Sequence, residues 1–389
     1  MFAYLDNNAT TKVAPEVLEE MLPYLKDQYF NPSSMYESAR LPIKAVERAR
    51  ESVANFLNAS YPDEIIFTSC GSESDSTAVL GPLQALEAPS AGGRDEVVIS
   101  DVEHPAVFNL RKPLEKRGYK VKVLPVGKTG LVDPASLREA VSEKTALVSV
   151  MWANNETGNV MPVAELAEIA HESGALFHTD AVQAAGKIPL DVRKITVDLL
   201  SISGHKIHAP KGIAALYIRR GTPFVSFLAG GHQERGRRAG TENVPYVAGL
   251  GKACALAQEA LEYENTEIRR LRDKLEAGLL EIPFSYMNGD KNSRTPNTTN
   301  ISFEFIEGEA ILLSMSDRGI CASTGSACSS ESLEPSHVLL AQGLDRKLAH
   351  SAVRFSLSRY TTEEEIDYVV AEMPKIIARI RAMSPFWKG

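Results

Sequence analysis

Val197-Asp198-Leu199-Leu200-Ser201-Ile202-Ser203 is a largely apolar run of strand length that leads directly into Gly204-His205-Lys206. A run of this kind predicts a strand buried on both faces, the pattern of a mainly parallel sheet. Six more runs share its character: Glu64–Thr68, Val97–Ser100, Val121–Val126, Ala146–Trp152, Ala175–Thr179 and Ile213–Ile218. Helical stretches such as Pro42–Leu57 and Val163–Ser173 lie between them. The predicted class is therefore α/β, a mainly parallel seven-stranded sheet flanked by helices.

After Gly249 the pattern changes. A long helix carries Ile268, Leu271, Leu275 and Leu279 on one face and charged residues on the other. Shorter strands come next, near Asn300–Glu304, Gly319–Ala322 and Ser351–Ser358. The last helix opens on Thr362 with Glu365 three residues later, a capping box, and Pro374 is expected to interrupt and kink it. The chain of 389 residues is long for one core. The expected division is a large domain over 15–260 and a smaller α+β domain built from 1–14 plus 261–389.

Composition is that of an ordinary globular protein, 44% hydrophobic and 24% charged, with a formal net charge of −8. The acidic balance gives no global attraction to nucleic acid or anionic membrane. The sequence shows neither a signal-peptide pattern nor an apolar run long enough to span a bilayer. Four cysteines, at 70, 254, 321 and 328, have no CxxC or finger spacing, which fits a reducing compartment. A soluble cytoplasmic protein is expected.

In open α/β sheets, ligands bind beyond the carboxyl ends of the strands, so the residues there carry the functional reading. Thr68-Ser69-Cys70-Gly71-Ser72-Glu73 opens a helix and suits a phosphate, or is a plain N-cap turn. His104 comes after the next run, and could stack on a planar cofactor and move protons or be structural. Asn154 and Asn155 could hydrogen-bond a ring hydroxyl. Asp180 ends another run, with Gln183 close behind. A carboxylate in that place keeps a pyridine nitrogen protonated, so that the ring can act as an electron sink. Lys206 can form a Schiff base with an aldehyde cofactor. A lone lysine is most often a solvated charge, but one at a strand end in company with Asp180 and a phosphate turn is not easily dismissed.

Three further segments matter. Gly230–Thr241 is glycine-rich and basic, and reads better as a second anion-binding loop than as a nucleic-acid patch. Ser323–Ser330 is a small-residue loop with one thiol, Cys328, placed so that it can swing as a nucleophile. Arg354 sits inside an apolar strand and needs a carboxylate, either from an amino-acid substrate or from an internal Asp or Glu.

Taken together, Leu5–Thr11, Asn31–Ser34, Glu103–Pro105, Asn154–Gly158, His178–Gln183, Ser203–Lys206, Arg237–Asn243, the Cys328 loop and Val353–Ser356 resemble the cysteine desulfurases of the class-V aminotransferase family. Val150–Trp152, Gly231–Arg235 and Arg359–Thr362 look most like the nitrogen-fixation (NifS) type, with the housekeeping type for general iron–sulfur assembly next. The likeness runs in order from about residue 4 to about residue 370.

The resemblance implies a fold-type I pyridoxal-phosphate enzyme acting as a homodimer. It would convert L-cysteine to L-alanine and hand sulfur to an iron–sulfur scaffold protein. Lys206 would tether the cofactor, His104 stack on its ring and Asp180 meet the pyridine nitrogen. Asn155 and Gln183 would bond the ring oxygen. Ser72, Glu73, Ser203 and His205 would hold the phosphate, with Thr241 reaching in from the partner subunit. Arg354 would bind the substrate carboxylate, assisted by Asn8 and Asn155. Cys328 would take the sulfur as a persulfide, with a transient iron–sulfur contact. Cys70, Ser72 and Ser76 depart from residues common in the family (Gly, Thr and Asn), and Ser72 keeps the hydroxyl. A selenocysteine lyase or cysteine-sulfinate desulfinase would share the scaffold.

Overall fold

The computed structural model describes residues 1–86, 93–324 and 334–387. A two-residue strand, β1 (Ala3–Tyr4), precedes the large sheet. That sheet is built from β2 (Ile65–Thr68), β3 (Glu96–Ser100), β4 (Lys120–Leu124), β5 (Thr145–Ser149), β6 (Leu176–Asp180), β7 (Leu199–Ser203) and β8 (Ala214–Ile218). Its order is β2-β8-β7-β6-β5-β3-β4. Pairing is parallel from β7 across to β4, while β8 runs antiparallel to both of its neighbours. Each of the seven apolar runs in the sequence became one of these strands.

The order decides where the chemistry sits. Strands β7, β6, β5 and β3 lie side by side and point the same way, so the segments that leave Ser203, Asp180, Ser149 and Ser100 emerge along one edge. Antiparallel to β8, β2 points the same way, and Thr68 and Ser203 both pair with Ala214. The helix that starts at Gly71 is thereby delivered to the end of β7. Gly204 is required at that end, since a Cβ there would lie 2.9 Å from Ile213 Cγ2 and 3.1 Å from the Ile213 carbonyl.

Beyond residue 260 come β9 (Ser285–Met287), β10 (Thr298–Phe303), β11 (Ile320–Cys321) and β12 (Ala352–Ser356). The order β12-β10-β9 makes an antiparallel sheet, and β1 pairs in parallel with β11. One hydrophobic cluster joins the large sheet to its helices around Phe177, Leu200, Ile202 and Trp152. A second gathers Ala3 and Leu5 with Leu271, Leu275, Leu279, Phe303, Phe355 and Ile377.

Three local features differ from the sequence reading. β9 carries no apolar run and was invisible; it exists because β10 offers it a ladder. The long helix is preceded by a π-turn over Glu264–Ile268 and begins at Arg269. The last helix, Glu363–Met383, runs on through Pro374 instead of stopping there, with the capping box of Thr362 and Glu365 formed as expected. Buried Met373, Ile376 and Ile377 flank the proline, and their packing outweighs the one lost backbone hydrogen bond.

Candidate functional site

The row of strand ends is where the predicted residues meet. Lys206 comes directly after β7 in a single 3₁₀ turn, Gly204–Lys206. Its Nζ donates to the carbonyls of Asn8 at 2.5 Å and Ala9 at 2.8 Å. Gln183 Nε2 donates to the same Asn8 carbonyl at 3.0 Å. Thus the segment after β1 closes over the sheet edge and meets the lysine with its main chain.

Asp180 is the last residue of β6 and is buried. Burial raises its carboxyl to about 6, while the Val182 N–H at 2.9 Å and the Lys206 charge hold it down. It is therefore a carboxylate at neutral pH, but one that gains from a cationic partner. Behind it lies Asp75, wholly buried, whose carboxyl burial and the Asp180 charge push well up. Asp75 stands 3.7 Å from His178, which burial keeps neutral with a value of about 3.

His104 caps the short Pro105–Phe108 helix by accepting the Ala106 N–H on Nδ1 at 3.1 Å. Burial, with the charges of Lys206 and His337, lowers its imidazole to about 4. The ring is neutral at neutral pH, and with Nδ1 engaged its proton belongs on Nε2. Next to it, Glu103 accepts from Ser100 Oγ at 2.5 Å and Met151 N at 2.7 Å, and burial raises its carboxyl to about 8.

At the Gly71–Ala85 helix, the N-cap Cys70 makes no side-chain hydrogen bond to the first turn. Ser203 Oγ is buried with no partner among the described residues. It faces the helix start closely: a Cβ on Gly71 would lie 3.5 Å from Ser203 Cβ. An uncapped helix N-terminus beside an unpaired hydroxyl is a cradle of the right chemistry for a phosphate. His205 Nδ1 lies 3.2 Å from Thr10 Oγ1, and burial lowers its ring to about 4. Ser72 is exposed at the helix start, while the Glu73 carboxylate turns to Ser69 N at 2.8 Å and Arg238 Nε at 2.8 Å.

This last pair redefines the basic Gly230–Thr241 segment. Arg238 is paired with Glu73, and Arg237 donates to the Asp63 carbonyl, so these guanidinium groups are engaged within the protein. Glu234 and Arg235 adopt left-handed backbone, φ 48° and 57°, and Glu234 forms a buried bidentate pair with Arg50 at 2.7 and 2.9 Å. Thr241 is exposed at the end of the segment.

On the opposite side of the row, Arg354 in the middle of β12 is buried. Nη1 donates to the Asn155 carbonyl at 2.8 Å and Nη2 to Asp6 Oδ1 at 2.8 Å. Of the alternatives left open by the sequence, an internal carboxylate is the partner found. Asn155 offers its carbonyl here, to Arg354 and to Asn8 Nδ2 at 3.2 Å. The Asn8 carboxamide faces inward, on Thr298 Oγ1 and Asn297 Nδ2, leaving its carbonyl toward Lys206. Cys328 lies outside the described residues, which stop at Thr324 and resume at Glu334.

Asp6 and Glu103 were not given roles from the sequence, although both stand in quoted motifs. The signal was available for Asp6, because a buried arginine in β12 demanded a carboxylate. Nothing in sequence spacing marks Asp75 or Glu103 as neighbours of Asp180.

Residues 3–369 match the family "Aminotransferase class-V". The chain is 52% identical over 387 residues to the cysteine desulfurase NifS of Azotobacter vinelandii, covering 99% of this chain and 95% of that one. The chain belongs to the class-V aminotransferase family, among its cysteine desulfurases. A cysteine desulfurase of Trichormus azollae is 56% identical over 384 residues, 98% of this chain and 94% of the relative. Among solved structures, a NifS-like protein superposes with a TM-score of 0.91 at 38% identity, covering 97% of this chain and all of that one. A structure of SspA in complex with cysteine superposes with a TM-score of 0.81 at 35% identity, covering 92% of this chain and 100% of that one. Membership implies dependence on pyridoxal phosphate, and the cradle, the strand-end Asp180 and Lys206 fit that group. Among the described residues, no helix is long and apolar enough to cross a membrane.

Proposed function

We propose that this chain removes sulfur from L-cysteine, releasing L-alanine and leaving a persulfide on Cys328 for an iron–sulfur scaffold protein, in the service of nitrogen fixation. The single observation that carries the reading is the convergence of Lys206, Asp180 and the Ser203–Gly71 cradle on one sheet edge.

Pyridoxal phosphate, when bound, supplies an electron sink for the charge left when the substrate loses its α-proton. Lys206 would tether the group and take that proton on Nζ. Asp180 would hold a proton at the pyridine nitrogen, and Gln183 and Asn155 would bond the ring oxygen. His104, neutral with its proton on Nε2, would stack on the ring and present a donor to the substrate thiol. Ser72, the Glu73 main chain, Ser203 and His205 would hold the phosphate, joined by Thr241 of a second copy. Arg354 would bind the substrate carboxylate. Cys328, as thiolate, would attack the substrate sulfur, forming an S–S bond as the C–S bond breaks.

The domain division at about residues 14 and 260 belongs to the same proposal, supported by the hydrophobic cluster that joins Ala3 and Leu5 to residues beyond 260. So do the homodimer and a cytoplasmic setting. Cys70, Cys254 and Cys321 being free thiols fits a reducing compartment.

The test is Cys328→Ala in the holoprotein. The variant should keep its bound cofactor yet form no protein persulfide on incubation with cysteine. Sustained sulfide release at the wild-type rate would overturn the acceptor role. Turnover of selenocysteine with little on cysteine would overturn the substrate.

A further inference from the structure

We propose that Asp6 is a positioning residue for the substrate-carboxylate site, holding Arg354 in place before an amino acid arrives and setting how tightly its carboxylate is then bound. The proposal rests on the reading of Arg354 as the carboxylate-binding residue.

Arg354 is fixed at its main chain on both sides. It pairs with Asn300 of β10, and its N–H and carbonyl exchange hydrogen bonds with Ser323 at 2.7 and 3.2 Å. Its side chain is only 4% exposed, and a guanidinium so far from water needs a counter-charge. Asp6 supplies it at 2.8 Å.

Asp6 is itself held firmly. It forms a bridge with Ser356, two residues beyond Arg354, and Asn7 N donates to the Ser356 carbonyl at 3.1 Å. Tyr4 Oη donates to the carbonyls of Asp6 and Thr10 at 3.2 and 2.8 Å, closing the turn. The main chain of Asp6 is thus fixed beside β12, within reach of Arg354.

Two asymmetries point to a ligand. The Asp6 side chain is 20% exposed against 4% for Arg354, so the carboxylate stands on the open side of the pair. Moreover, Arg354 Nε is buried and has no hydrogen-bond partner among the described residues. A buried unpaired N–H is costly, and a charged guanidinium with one edge vacant is set up to receive a second acceptor.

An incoming carboxylate would therefore meet a guanidinium that already carries a neighbour of like charge. Before binding the pair is neutral; afterwards the cluster bears one net negative charge. Two carboxylates on one guanidinium repel each other strongly inside a protein. Asp6 thus weakens retention of the amino acid while keeping the arginine aimed. Release of the product, which keeps the same carboxylate, is the step this favours.

The experiment uses holoprotein and L-alanine, which carries amine and carboxylate without a thiol and so has no sulfur to transfer. Binding is read by calorimetry and by the ligand-induced rise in melting midpoint, with ethylamine as the probe lacking a carboxylate. Asp6→Asn is expected to melt lower than wild type without ligand, to bind L-alanine about tenfold more tightly, and to bind ethylamine unchanged. Asp6→Ser, smaller and also neutral, is expected to do the same, should the first variant fold poorly. Unchanged or weaker L-alanine binding in both variants overturns the proposal, as does an equal gain for ethylamine. Arg354→Lys separates the two levels. If it binds L-alanine as well as wild type, the carboxylate is not held at Arg354, and both the reading and this inference fall. If it loses binding while the Asp6 variants stay at the wild-type affinity, only the inference falls.

Discussion

The ammonium of Lys206 donates to the carbonyl of Asn8 at 2.5 Å, across 198 residues of chain. The carbonyls of Asn8 and Ala9 both receive the amine, so the main chain of this segment aims the lysine along the strand ends. Lys206→Ala should abolish the visible absorbance of the lysine-bound cofactor when pyridoxal phosphate is added. An absorption spectrum of the dialysed protein checks this.

Ser203 should behave oppositely in the empty and loaded protein. Its Oγ is buried without a partner among the described residues, so removing it costs the apoprotein no hydrogen bond. Ser203→Ala should melt within about 0.5 kcal/mol of wild type, or slightly above it, in the apo form. Loss of a hydrogen bond to a charged phosphate is worth roughly 1.5–3 kcal/mol, so cofactor affinity should fall at least tenfold. Equilibrium dialysis and calorimetry of the apoprotein report the two effects separately.

Glu103 gives a pH prediction. Its folded value, about 8, lies above the usual 4.5, chiefly through burial. Such a group contributes fully below pH 4.5 and loses its contribution as pH rises through 8. Glu103→Gln does not titrate. Relative to wild type, the variant should therefore gain about 1.4 kcal/mol per pH unit across that window, tapering at both ends. Urea unfolding of both proteins at pH 5, 6.5 and 8 measures the gap.

The Arg50–Glu234 pair is buried and bidentate, and Arg50 also donates to the Ile65 carbonyl at 2.6 Å. Removing one partner strands a buried charge, so Glu234→Ala should cost about 3–5 kcal/mol. The double variant with Arg50→Ala should cost less than the two singles combined. Denaturant curves of the three proteins test the cycle.

Much of this was legible because β-sheet burial writes itself as apolar runs. Each of the seven strands of the large sheet announced itself, and the ends of those runs supplied Asp180, Lys206 and His104. Partner identity was harder to read. That Arg354 needs a carboxylate is evident from its strand; that Asp6 provides it depends on a single bridge between Asp6 and Ser356, too short to leave a pattern. Arg238 likewise looked like an anion ligand because charge is visible in sequence, whereas its pairing with Glu73 depends on how a loop folds back 165 residues. β9 and the uninterrupted helix through Pro374 belong with these: neighbours, not local propensity, decided them.

The closure of residues 6–11 over the strand ends has a consequence for biogenesis. Those residues leave the ribosome before any other part of the site, yet Asn8 cannot find Ser356 Oγ, nor Asp6 its arginine, until nearly 350 more residues have been joined. The earliest part of the pocket to be synthesised is thus the last to be seated. A nascent chain that has already made Lys206 still lacks the arginine that Asp6 pairs with, so the turn over the strand ends cannot close around its final partners at that stage.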